Sequence, residues 1–235
     1  MSIVLGKSNC LTSIILSLVT TTTALSASVR AADFSFQGTF SADDEVQLFD
    51  FTVGTTSDVT LKTLSYAGGI QADGTDISAG SFDPILALFD GAGNFIADND
   101  DGIFPDVGID PVTGAEFDTF LQSTLVPGSY TVAISQFDNF FNGGFGDNIS
   151  LGFFEAENPN FTAIFGCSNG QFCDVFADNR TNEWAFDILN VDSAVVVETP
   201  VTHDIPEPSA VLALAFIFGF GSTMRKRHVR LSHKL

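Results

Sequence analysis

The sequence predicts an all-β chain, an antiparallel β-sandwich of jelly-roll-like type, and three observations predict it. Short stretches alternate apolar and polar residues with the period of two that sends every second side chain to one face of a sheet. Gly, Pro, Asp and Asn cluster between these stretches at turn-forming positions. No stretch of the body holds a 3.6-residue apolar period long enough to specify a helix. The aromatic residues agree: 25 Phe stand beside two Tyr and one Trp, and Phe in alternating positions suits the buried face of a sheet.

In chain order, Phe34, Phe36 and Phe40 mark a half-buried strand, and residues 46–53 and 58–64 mark two more, with 54–57 read as a hairpin loop between them. The polar segment 68–81 is long enough to be an insertion or a mobile loop. Residues 85–89 form a continuous apolar run that stops at Asp90-Gly91-Ala92-Gly93-Asn94, a turn signal, and resumes at Phe95. Strands are then expected at 117–126, closed by Pro127-Gly128, at 129–135, around 149–154 and 161–165, and at 184–189.

The ends read differently. Lys7, a short apolar run over 11–19 and small residues up to Ala31 have the layout of a secretory signal peptide, cleaved after Ala31 or after Ala27. Residues 209–224 carry no charge, and as a helix they cover roughly 24 Å, slightly short of a full membrane span. Arg225, Lys226 and Arg227 follow, and basic residues hold such an end on the cytoplasmic side. The expected organisation is a signal peptide at 1–31, a β-sandwich domain at 32–192, a linker at 193–204 and a tail at 205–235. The helices belong to the two ends, the second being transmembrane-like.

Pro206-Glu207-Pro208, the apolar segment and the basic cluster, in that order, resemble a PEP-CTERM sorting signal, the tail of bacterial exported proteins handled by exosortases. That resemblance implies an exosortase-type sorting enzyme and the inner membrane as partners and transient membrane anchoring. It also implies a mature protein at the cell surface or in the extracellular matrix. The body resembles the bacterial pre-peptidase C-terminal domain over residues 46–137. The matching blocks are Leu48-Phe49-Asp50-Phe51-Thr52-Val53, Phe82-Asp83-Pro84-Ile85-Leu86-Ala87-Leu88-Phe89-Asp90, Gly93-Asn94-Phe95-Ile96-Ala97-Asp98-Asn99-Asp100-Asp101 and Pro127-Gly128-Ser129-Tyr130-Thr131-Val132. This second resemblance implies a β-sandwich, often non-catalytic and sometimes calcium-binding. The insertion after Tyr66 and the region from Asn139 onwards depart from the pattern; the whole is also similar to a PEP-CTERM-associated domain of unknown function. Neither resemblance supplies an active site.

Charge narrows the chemistry. Residues 33–208 hold all 29 acids and only two bases, Lys62 and Arg180, a formal charge of −27. Nucleic acid and anionic surfaces require Lys and Arg, so they are poor partners. The three histidines lie at 203, 228 and 233, leaving the body without an imidazole for a Ser-His-Asp triad or a His-based zinc site. A carboxylate pair for glycoside hydrolysis stays open, although abundant Asp lets no pair be named. Trp184 reads as core or as a sugar-stacking platform.

Two sites stand out. Asp98-Asn99-Asp100-Asp101-Gly102 has Asp83 and Asp90 upstream and Asp106 and Asp110 downstream. Ca²⁺ takes six to eight oxygen ligands, and carboxylates clustered without a cation repel one another. The expected ligands are Asp83, Asp98, Asp100 and Asp101, and the alternative is a solvated acidic turn. Cys167 and Cys173 enclose an Asn-Gly turn, which in an exported chain reads as a disulfide. The expected function is a non-catalytic exported protein that binds Ca²⁺ and, as its organic ligand, polysaccharide; the alternatives are a carboxylate-dependent glycan-active enzyme and a purely structural exoprotein.

Overall fold

The structure, a computed structural model, describes residues 31–198. The expected signal helix and the tail with Pro206, Glu207, Pro208, Arg225, Lys226 and Arg227 lie outside the described residues. The body is all-β and antiparallel. In chain order its strands are β1 (Ala32–Thr39), β2 (Gln47–Val53), β3 (Ser57–Thr63), β4 (Gly69–Ile70), β5 (Asp76–Ile77), β6 (Pro84–Asp90), β7 (Phe95–Asn99), β8 (Phe120–Leu125), β9 (Gly128–Gln136), β10 (Glu183–Val191) and β11 (Ser193–Val196). One sheet runs β1-β10-β3-β8, a second β11-β2-β9-β6-β7, and β4 with β5 forms a separate hairpin.

The ladders reveal how the chain is wrapped. β6 pairs with β7, β3 with β8, β2 with β9 and β1 with β10, so the chain is one long antiparallel ribbon, tipped by the β6–β7 turn and rolled into two facing sheets. The tip is built as its sequence demands. Asp90 Oδ1 accepts from the N–H groups of Ala92 and Asn94, and Gly93 takes φ +82°, a left-handed conformation without steric cost for glycine.

Between the sheets, alternate residues interdigitate: Phe49 and Phe51 of β2, Val59 and Leu61 of β3, Leu86 and Leu88 of β6, Val132 and Ile134 of β9, and Phe186 and Ile188 of β10. Trp184 belongs to this core, edge-on to Phe49 at 5.6 Å between ring centroids, and it is 6% exposed; it offers no platform to a sugar. A second cluster covers the outer face of the larger sheet, where Ala87, Phe89 and Ala133 meet Phe141, Ile149 and Phe153. β6 is therefore covered on both faces, which explains its continuous apolar run.

Four expectations are corrected. Residues 54–57 do not close a hairpin, because β2 and β3 belong to different sheets; β2 already has β9 and β11 as neighbours, and β3 has β10 and β8. The chain does not leave the sheet at 192: β11 pairs with β2 from Ser193↔Thr52 to Val196↔Phe49, so the expected linker begins as an edge strand. The expected strands near 149–154 and 161–165 are short 3-10 turns, Ile149–Leu151 and Phe161–Phe165. Asn148 caps the first through its side chain, and buried Asp43 accepts from the backbone N–H and hydroxyl of Thr162 in the second. Capping and packing override β-propensity there. Finally, the polar segment 68–81 carries the β4–β5 hairpin, docked on β10: Asp187 accepts from Gln71 Nε2 at 3.1 Å and from the Ala72 N–H at 2.9 Å.

Arg180, one of the body's two cations, is buried. Its Nε donates to Asp174 at 2.8 Å and its Nη1 to Asp110 at 3.3 Å. The guanidinium also covers the Tyr66 ring at 3.9 Å and donates to the Tyr66 hydroxyl. Breaking a buried pair by removing one partner strands the opposite charges and costs about 3–5 kcal/mol. Arg180→Met is accordingly expected to lose about that much in urea unfolding at pH 7; a loss below about 1 kcal/mol would show that the network is not structural.

Candidate metal centre

The centre lies where three strands of the larger sheet end together. β6 begins at Pro84, which pairs with Gln136 at the end of β9, and β7 ends at Asn99, which pairs with Leu86 near the start of β6. Asp83 stands immediately before β6, held by its carbonyl accepting from the Phe137 N–H at 2.8 Å. Asp100 and Asp101 stand immediately after β7. Asn99 anchors that exit by accepting from the Phe120 N–H at 2.8 Å, and Gly102 donates to the Asp118 carbonyl at 2.7 Å. Gly102 has no room for a side chain, since a Cβ there would stand 2.5 Å from Val107 and 3.1 Å from the Asp118 carbonyl.

These anchors bring Asp83, Asp100 and Asp101 together, with one carboxylate oxygen from each lying within 4.8 Å of the others. Two oxygens bound to one Ca²⁺ at roughly 2.3–2.6 Å can be at most about 5 Å apart, so one ion can bridge the group. Asp98 does not join it. Its cross-strand partner is Ala87, a residue of the outer-face cluster, and opposed residues share a face. Asp98 is exposed to solvent there. Asp90 is used in the ribbon tip and Asp110 in the Arg180 network.

The environment of the three carboxyls is unusual for anions. Asp83 is 3% exposed, and one oxygen each of Asp83 and Asp100 is buried without any hydrogen-bond partner. Burial first, then the charges of Asp100, Asp101, Asp118 and Asp174, hold the Asp83 carboxyl well above the ordinary carboxylate range. Burial and the neighbouring Asp101, Asp98 and Asp138 push Asp100 up to about 7, and burial raises Asp101. A buried, unpaired carboxylate is costly, so such a group takes up either a proton or a cation.

The donor set selects among cations. Among the described residues there is no histidine, and Cys167 and Cys173 are committed to one another as a disulfide, with Cα atoms 5.4 Å apart. Soft metals thus lack their usual ligands, whereas hard oxygen-seeking ions do not. Arg180, missed as a functional residue at the sequence level, matters here indirectly: its charge is consumed by Asp110 and Asp174 and is not available to Asp83.

No protein-family model matches the chain, and no curated protein is significantly similar to it.

The raised carboxyls fix a pH dependence. A folded-state pKa above the unfolded value makes a contribution that is fully present below about pH 4 and is lost as pH rises through the folded value, here about 7 for Asp100, with Asp83 shifted in the same direction. Metal-free protein is expected to melt at lower temperature at pH 8 than at pH 5, with a smaller loss in Asp100→Asn. Asp83→Asn removes the buried charge and is expected to stabilise the metal-free form at pH 8 by at least about 1 kcal/mol. Differential scanning calorimetry checks both, and an Asp83→Asn variant less stable than wild type at pH 8 would contradict this electrostatic picture.

Proposed function

We propose that this chain is a non-catalytic exported protein of the cell surface or extracellular matrix whose acidic, jelly-roll-like sandwich binds Ca²⁺ through Asp83, Asp100 and Asp101. The observation that carries the proposal is the pair of buried, unpartnered oxygens on Asp83 and Asp100 beside Asp101, for which a divalent cation is the partner the protein itself does not supply. The wiring supports the fold part. Counting the eight long strands in chain order, the sheets run 1-8-3-6 and 2-7-4-5, as in a ribbon rolled into a double-sheet jelly roll. Export rests on the resemblance of the tail to a PEP-CTERM signal.

Polysaccharide is the organic ligand class. A cleft of about 550 Å³ is lined by Ser41, Asn169, Gln171, Phe172, Arg180, Thr181 and Asn182. It has no carboxylate wall in a protein of this charge, and its one cation is tied to Asp110 and Asp174. Carboxamides and hydroxyls suit a neutral, hydroxyl-rich ligand. The competing reading is a glycan-active enzyme, favoured by Asp100, whose value near 7 is one a general acid could use.

Calorimetric titration of the full chain with CaCl₂ at pH 7.5 tests the calcium reading: a Kd of about 10⁻⁴–10⁻³ M is expected, as for extracellular calcium modules, lost in Asp101→Ala. No heat and no rise in melting temperature at millimolar Ca²⁺ would remove it. Glycan-array binding without turnover supports the non-catalytic part, whereas release of reducing ends, abolished by Asp100→Asn, would replace it with the enzyme.

A further inference from the structure

Two Asn-Gly pairs lie in the body, Asn142-Gly143 and Asn169-Gly170, the second inside the loop closed by Cys167 and Cys173. Such a pair carries its own chemistry. The amide nitrogen of the glycine can attack the side-chain carbonyl carbon of the asparagine, and glycine hinders that attack least because it has no Cβ. The attack requires the backbone between the two residues to rotate, so the fold decides where it happens.

The two pairs differ in that respect. Gly143 is wedged: a Cβ built there would stand 2.6 Å from the Phe141 ring and 3.0 Å from Asp147, and Phe141 is buried in the outer-face cluster. The backbone is pinned on either side as well. The Asn142 N–H donates to the Gly152 carbonyl at 2.9 Å, and the Gly144 N–H donates to Asp147 Oδ2 at 2.8 Å. Gly170 is open. Nothing lies within 4 Å of a Cβ built there, and its φ is +71°. The Asn169 N–H donates to Asn179 Oδ1 at 2.9 Å, and the Phe172 carbonyl accepts from the Arg180 N–H at 2.9 Å. Between these two anchors Gly170 has room to turn, and Asn169 is exposed to water.

We propose that Asn169 is a self-modification site, at which the chain converts its own carboxamide to a carboxylate. The Gly170 amide nitrogen gives its proton to hydroxide and bonds to Asn169 Cγ. The Cγ–Nδ2 bond breaks, and the nitrogen takes a proton from water and leaves as ammonia. One water molecule then opens the cyclic imide, at Cγ to give aspartate or at the main-chain carbonyl to give isoaspartate. Water is consumed, ammonia is released, and nothing is oxidised or reduced. The consequence falls on the cleft of about 550 Å³, which Asn169 lines among residues that include no acid. A carboxamide donates and accepts, whereas a carboxylate only accepts, so one wall turns from neutral to anionic. The chemistry does not depend on what the cleft binds; its effect on a hydroxyl-rich ligand rests on the polysaccharide reading above.

Peptide mass mapping of the full chain, kept at mildly alkaline pH, tests the site. Conversion adds about 1 Da, the difference between an amino group and a hydroxyl. The chain unfolded in urea supplies the rate of each pair without structure. In the native protein Asn169 is expected to convert within about threefold of its rate in urea, and Asn142 to slow by about tenfold or more. Fragmentation that separates the two products is expected to find aspartate and isoaspartate at 169, and Asn169→Gln to abolish the gain in that peptide. Native Asn169 slowed beyond about threefold, or native Asn142 converting as fast as Asn169, would overturn the proposal. On a glycan array, Asn169→Asp is expected to bind at least about threefold more weakly than wild type; equal binding would overturn the consequence for the cleft. If wild type binds no glycan, the polysaccharide reading falls, and the mass gain at 169 still decides the modification.

Discussion

Shortage of positive charge is the constraint on which this structure depends. Folding buries several carboxylates, and the body has two cations to set against 29 acids. Arg180 is committed to Asp110 and Asp174. The remaining buried acids must find neutral donors, and most do. Asp118 accepts from the N–H groups of Ser65, Tyr66 and Ala67 and from the Thr63 hydroxyl. Asp43 is served by the backbone of Asn160 and Thr162, and Asp187 by Ala72 and Gln71. In each case an irregular segment is tied down by the acid it satisfies, so buried Asp works here as a staple for loops. Asp83, Asp100 and Asp101 break the rule: they are gathered, and one buried oxygen each of Asp83 and Asp100 has no donor.

The rolled-ribbon topology explains how that exception arises. Asp83 precedes β6 and Asp100 and Asp101 follow β7, so the β6–β7 ladder at the ribbon tip brings them together at its open end, beside the end of β9. Backbone hydrogen bonds of Asp83 and Gly102 and the side chain of Asn99 fix the three exits independently of the carboxylates. The fold therefore holds like charges together by bonds that do not involve those charges. This is the arrangement expected of a preformed cation site, in which the ion relieves a repulsion that the scaffold imposes.

Much of this was legible in the sequence because its signals are local. Period-two alternation of Phe, Val and Ile marks β1, β2, β9 and β10, and the Asp-Gly-x-Gly-Asn turn marks the ribbon tip. What was not legible depended on partners far along the chain. The 54–57 connection looks like a hairpin loop, yet it crosses between sheets because β9 and β10 claim the two strands it joins. Residues 149–154 look like a strand, yet they form a short 3-10 turn and its exit, from which Ile149 and Phe153 pack on the outer face of the larger sheet. Of the four acids singled out from their clustering in sequence, Asp83, Asp100 and Asp101 lie together in space. Asp98, expected with them, is exposed and stands outside that group.

The most direct test of the central claim, that a cation fills the space among these carboxylates, is diffraction from crystals grown with Ca²⁺, supported by an anomalous map from a lanthanide soak. A peak is expected within about 2.3–2.6 Å of oxygens from Asp83, Asp100 and Asp101. Ordered density at that end of the sandwich with no ion peak at millimolar Ca²⁺, and with the Asp83 carboxyl hydrogen-bonded as an acid to a neighbouring oxygen, would contradict it.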